Sequence, residues 1–119
     1  MVSIQFKVIV TRDFDQMKEA CVLFAGHTHI PAIYMAREDN MYRADTTEVE
    51  FKEGYRYIVN VGSVGQPRDR DNRACWCLFD TEQGKASLFR VEYDVERTQR
   101  EILEAGLPPI LASRLESGW

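Results

Sequence analysis

Short apolar runs at residues 21–25, 33–36, 55–61 and 74–79 alternate with polar, glycine-containing stretches along the first two thirds of the chain. Runs of four to eight residues rich in β-branched and aromatic side chains, bounded by turn residues, read as strands rather than helices. Residues 21–25 are apolar throughout and are followed by Gly26, so this strand is expected to be buried and to run straight into a loop. Residues 33–36 read as a strand returning along the same sheet, and 37–41 carry the turn chemistry of a hairpin. A polar stretch follows to Lys52, in which 46–51 suits an edge strand, and Glu53-Gly54 marks another turn. Residues 74–79 and 86–91 flank Asp80-Thr81-Glu82-Gln83-Gly84-Lys85 and are expected to form a hairpin that extends the sheet. Ahead of all this, 4–10 alternates weakly as a strand would, and Asp13 or Asp15 is placed to cap a short helix through Lys18 and Ala20.

The pattern changes period after Asp94. Val95, Ile102 and Leu103 share one side of a helix whose other side carries Glu96, Arg97, Arg100 and Glu101, with Asp94 as its N-cap and Gly106 at its left-handed end. Pro108 and Pro109 suit the first turn of a second helix over 110–116, which Gly118 ends. The expected fold class is therefore α/β: a mixed β-sheet closed by two C-terminal helices.

With 119 residues, 45% of them hydrophobic, the chain suffices for one domain over 1–119, of which 1–19 is the weakly specified segment. A net charge of −4 and a pI near 5.2 argue against general nucleic-acid binding, which needs clustered Lys and Arg. No apolar run approaches the length of a membrane span, and the first residues lack the apolar core of a signal peptide, so the cytoplasm is the expected location. Cys21, Cys75 and Cys77 are odd in number and lie in apolar runs, which makes them small buried hydrophobes rather than a disulfide framework; a Cys-x-Cys metal pair is the alternative for 75 and 77.

Candidate chemistry concentrates in Gly26-His27-Thr28-His29-Ile30-Pro31, which holds both histidines of the protein. If the backbone stays extended through Thr28, the two imidazoles point to one face about 6 to 7 Å apart while Thr28 turns away. Rings so spaced could share one metal, could each hold one ion of a pair about 3.5 to 4 Å apart, or could simply hydrogen-bond at a loop. A second candidate is Gly62-Ser63-Val64-Gly65-Gln66-Pro67, whose glycines permit a close turn and whose amides could face an anion; an ordinary tight loop is the alternative. In the mixed-charge stretch that follows, Arg68 is the first choice for forking onto a phosphate and Arg73 the second. Trp76 could stack on a ligand, although an aromatic within a strand usually belongs to the core.

As a whole, Gly-His-Thr-His-Ile-Pro resembles the last motif of the calcineurin-like metallophosphoesterases, particularly their bacterial phosphatase and phosphodiesterase branch. The segments at 60–69 (Asn-Val-Gly-Ser-Val-Gly-Gln-Pro-Arg-Asp), 73–80, 90–94, 106–108 and 114–115 follow the same branch in order and spacing. The resemblance covers roughly residues 20 to 118 and reaches only the C-terminal half of that family's four-layer sandwich. It implies that His27 and His29 each bind one of two divalent ions (Mn, Fe, Ni or Zn), that the 62–67 loop lies beside them, and that the substrate is a phosphoester. The family's Asp-x-His, Gly-Asp and Gly-Asn-His motifs and its further isolated His precede this half and are missing from the sequence. By resemblance, then, the chain is the C-terminal portion of a binuclear-metal phosphoesterase, inactive alone and lacking a catalytic residue of its own. The alternative is a non-catalytic binding or assembly module. Strands 21–25 and 57–61 would be central in the full sandwich, so the chain is expected to need a partner, either a second copy in a homo-oligomer or a separate N-terminal half.

Overall fold

The computed structural model describes residues 13–119. In order, these form strands β1 (Val22–Ala25), β2 (Ala32–Arg37), β3 (Asn40–Ala44), β4 (Glu48–Glu50), β5 (Arg56–Asn60), β6 (Ala74–Asp80) and β7 (Lys85–Val91), then helices α1 (Val95–Glu104) and α2 (Pro109–Ser117). A short helical turn at 13–16 precedes them. The strand expected at 4–10 lies outside the described residues.

Two sheets result. The first has the order β1-β5-β2-β3, with β1 parallel to β5 and the remaining pairs antiparallel; the second is an antiparallel β4-β7-β6 sheet. They face each other across a core of Ile33, Tyr57 and Val59 from the first and Val49 and Ala86 from the second. On the other face of the first sheet, Phe14 and Met17 cover Tyr34, Ala36 and Ile58. Strand β5 is thus buried on both faces, which explains why its sequence is almost continuously apolar. Tyr57 also ties the layers together, since its hydroxyl accepts from the Lys52 amide at 3.0 Å and donates to the Glu50 carbonyl at 3.4 Å.

Three expectations are corrected. The β6–β7 hairpin does not extend the first sheet; it stacks on it, because the apolar inner face of β2 and β5 would stay in water if the hairpin merely lengthened an edge. Strand β1, expected to be buried, is only half-buried, with Phe24 exposed, whereas β2 returns along the same sheet as expected, antiparallel to β5. Cys21, expected to be buried, is exposed just ahead of β1, which is an edge strand among the described residues; Cys75 is buried and Cys77 half-buried.

The helix ends follow the sequence. The Asp94 carboxylate accepts from the Arg97 amide at 2.9 Å, Pro109 opens α2, and Gly106 and Gly118 take left-handed φ values of 69° and 63°. Gln99 of α1 donates to the Ala112 carbonyl at 2.9 Å, joining the two helices, while Arg97 and Glu101 pair in solvent. Among the described residues no helix is long and apolar enough to cross a membrane.

Candidate metal centre

Because β1 and β5 run parallel, with Ala25 opposite Asn60, the loops that leave them emerge side by side at one end of the sheet. The histidine loop is not extended. His27 and His29 have φ values of 67° and 61°, and the Thr28 amide donates to the Gly26 carbonyl at 2.8 Å, closing a three-residue turn around His27. Left-handed backbone in a non-glycine residue costs on the order of 1–3 kcal/mol, so something must impose it twice within three residues.

Asn60 does so. It is 7% exposed at the end of β5, and its side-chain amide donates to the Gly26 carbonyl at 2.8 Å and to Thr28 Oγ1 at 2.9 Å, while its Oδ1 accepts from the Gly62 amide at 3.1 Å. One side chain therefore joins both loops. Thr28, expected to turn away, is drawn in by this contact and also accepts from the Ile30 amide at 3.3 Å.

The two rings differ. His27 is exposed, whereas His29 is half-buried and held through Nδ1, 2.7 Å from the Gln66 carbonyl oxygen. A carbonyl only accepts, so Nδ1 carries a proton, and in the neutral ring the lone pair is then on Nε2. A backbone carbonyl on the far nitrogen is the usual means by which a metal-ligating imidazole is oriented. The chemistry of the donor fits a divalent ion, but among the described residues no group of three or more His, Cys, Asp or Glu side chains comes together to hold one.

The second loop is shaped by contact. Gly62 (φ 73°) lies against Cys75 and Pro31, the Cys75 amide donates to the Ser63 carbonyl at 2.9 Å, and the Gln66 amide donates to Ser63 Oγ at 2.9 Å. The amides of Gly62 and Gln66 thus serve the loops themselves rather than an anion. Arg68 donates its amide to the His29 carbonyl at 3.2 Å, and its Nε is enclosed without a hydrogen-bond partner. The structure therefore brings His29, Ser63, Gln66 and Arg68 into one cluster.

Arg73 is placed differently. It forks onto the Asp71 carboxylate at 2.9 and 2.6 Å, and this contact lowers the Asp71 pKa to about 2. It lines a cleft of about 940 Å³ that also reaches Pro31, Arg43, Asp69 and Arg90 but neither histidine. Trp76 is 43% exposed and stacks on Phe89 with ring centroids 4.8 Å apart, on the outward face of the second sheet. Cys75 and Cys77 point toward the core, and burial raises both thiol pKa values. Sequence reasoning missed Asn60 and Gln66. For Asn60 the signal was present: a carboxamide inside an apolar strand needs buried partners.

No protein-family model matches the chain. Its sequence is 37% identical over 97 residues to an uncharacterized protein of Methanocaldococcus jannaschii, covering 82% of this chain and 39% of that protein. Its fold superposes on the crystal structure of a metallophosphoesterase from Sphaerobacter thermophilus with a TM-score of 0.78 and 36% sequence identity, over 93% of this chain. In both sequence and fold the chain is similar to part of a metallophosphoesterase. It spans 48% of the solved relative and 39% of the archaeal one, a match consistent with the C-terminal half of a metallophosphoesterase. The two-sheet architecture with C-terminal helices is that of a metallophosphoesterase fragment.

Proposed function

We propose that this chain supplies the two-histidine part of a binuclear centre in a metal-dependent phosphoesterase, a phosphatase or phosphodiesterase. The observation that carries the reading is the bond between His29 Nδ1 and the Gln66 carbonyl, which leaves Nε2 of the neutral ring available as a ligand. His27 and His29 would hold the ions, manganese, iron, nickel or zinc. Bound divalent ions supply Lewis acidity toward a phosphoryl oxygen and lower the pKa of a water. Asn60 fixes the loop that carries both imidazoles. Arg68, beside His29 and with an unpartnered Nε, would donate to a phosphate oxygen, with Gly62 and Ser63 shaping the wall next to it. Arg73, already forked onto Asp71, is the weaker choice.

This reading predicts that the chain alone hydrolyses p-nitrophenyl phosphate and its bis-ester no faster than metal in buffer, since it has neither a bridging carboxylate nor a further histidine. Turnover that survives purification and disappears in His29→Ala would overturn it. A second reading, a non-catalytic binding or assembly module, is favoured by the lack of a three-ligand group among the described residues.

Either way a partner is proposed, a second copy of the chain or a separate N-terminal half. Phe24 of β1 and Phe79 of β6 lie 5.1 Å apart between ring centroids and are partly exposed, and Trp76, Leu78, Phe89 and Val91 leave apolar surface on the outer sheet. Light scattering at low micromolar concentration should therefore show a mass above 13.8 kDa. A cooperative, monomeric species would mean that the chain covers its own sheets. Free thiols at 21, 75 and 77 suit the reducing cytoplasm, the proposed location.

A further inference from the structure

We infer that Arg90, on β7 in the second sheet, is a positioning residue for His29, acting through the loop at 66–73. Its purpose rests on the reading of His29 as a metal ligand; its geometry does not. One guanidinium holds three residues of that loop. Nη1 donates to the Arg73 carbonyl at 3.1 Å, Nη2 to the Asp69 carboxylate, and Nε lies 3.8 Å from the Asp71 carboxylate. Such a multiply bonded, half-buried guanidinium is worth more than a surface pair, because its fork fixes direction as well as distance.

Asp69 adjoins Arg68, whose amide donates to the His29 carbonyl, and Gln66, three residues earlier, accepts from His29 Nδ1. Between them stands buried Pro67, whose ring restricts φ, so fixing Asp69 leaves the Gln66 carbonyl little freedom. The loop is braced from the opposite side by the end of α2. The Arg70 amide donates to the Gly118 carbonyl at 2.9 Å, and Asn72 donates to the Glu116 carbonyl at 3.2 Å. The Arg70 guanidinium lies 5.2 Å from the Trp119 ring centroid. The second sheet and the C-terminal helix thus converge on the segment that selects the tautomer of His29, and this gives the paired Arg90 a role beyond that of an ordinary ion pair.

The test reads the His29 tautomer directly, by long-range ¹H–¹⁵N correlation on the metal-free chain at about pH 8, where a typical imidazole is neutral. The parent should show Nδ1–H at His29. In Arg90→Met the Nε2–H form should rise about fivefold, the population change that loss of one ordinary hydrogen bond allows. Asp69→Asn should shift it in the same direction by less, and Arg90→Lys, which keeps charge but not the fork, should fall between parent and Arg90→Met. A cooperative melt accompanies each measurement. If Arg90→Met does not fold, Asp69→Asn and Arg90→Lys decide. A parent-like tautomer in every folded variant overturns the inference, even if manganese binds through His29. A tautomer under Arg90 control in a chain that binds no manganese sustains it and removes the metal reading instead.

Discussion

Replacing Asn60 with alanine should destabilise the chain by about 3 kcal/mol, among the largest effects available to a single substitution outside the apolar core. The loss is not one hydrogen bond. The Asn60 amide bonds the Gly26 carbonyl and Thr28 Oγ1, and its Oδ1 bonds the buried Gly62 amide, so truncation removes partners from both loops at once. Leaving a buried donor or acceptor without a partner costs about 1–3 kcal/mol, and the left-handed conformations at His27 and His29 lose the contact that offsets their strain. Asn60→Asp should recover little at neutral pH: one oxygen still accepts from Gly62, but the other faces the Gly26 carbonyl and cannot donate. Urea denaturation checks this, with the midpoint lowered and the slope unchanged. A shift under about 0.5 kcal/mol, the usual range for surface substitutions, would show that the histidine loop holds its shape without Asn60.

Gly62→Ala should be comparably damaging, by about 3 kcal/mol, for a steric reason. At φ 73° a Cβ would lie 2.9 Å from Cys75 Cβ, 3.0 Å from its Sγ and 3.2 Å from Pro31 Cδ. Neither neighbour is a flexible tip. Cys75 is buried in β6 and Pro31 leads into β2, so relief requires moving strands that meet behind the histidine loop. Gly84 is the internal control: its φ of 61° is similar, but a Cβ there meets nothing within 4 Å, so Gly84→Ala should cost only the conformational part, about 1 kcal/mol. Equal losses at the two positions would contradict the packing argument.

Much of this was legible in the sequence, where local signals and tertiary requirements agree. The apolar runs became β1, β2, β5 and β6; the 37–41 and 80–85 turns became hairpins; Asp94, Pro109, Gly106 and Gly118 mark helix ends as their conformational preferences require. Sheet membership was not legible, because a period of two identifies a strand's faces but not which neighbour it pairs with or stacks upon. Nor were the left-handed histidines. Nothing in Gly-His-Thr-His itself demands positive φ at two non-glycine residues; the demand comes from Asn60, more than thirty residues away. His29 and Gln66 are 37 residues apart, so the tautomer of the ring could be read only once the fold had brought the two together. Arg73 was a reasonable phosphate candidate by residue type, but Asp71, two residues before it, occupies its guanidinium.

The central claim is that this chain carries a prepared but incomplete share of a binuclear metal site. Titration calorimetry with manganese, zinc and nickel tests it most directly, on the parent chain and on His27→Ala and His29→Ala. Two imidazoles leave at least two positions to water, whereas closed protein sites have three or four ligands, so binding should be weak, with a Kd well above about 1 μM, and should vanish in His29→Ala. A sub-micromolar Kd lost in His27→Ala would show that further ligands complete the site, and binding indifferent to both substitutions would remove the histidines from it altogether.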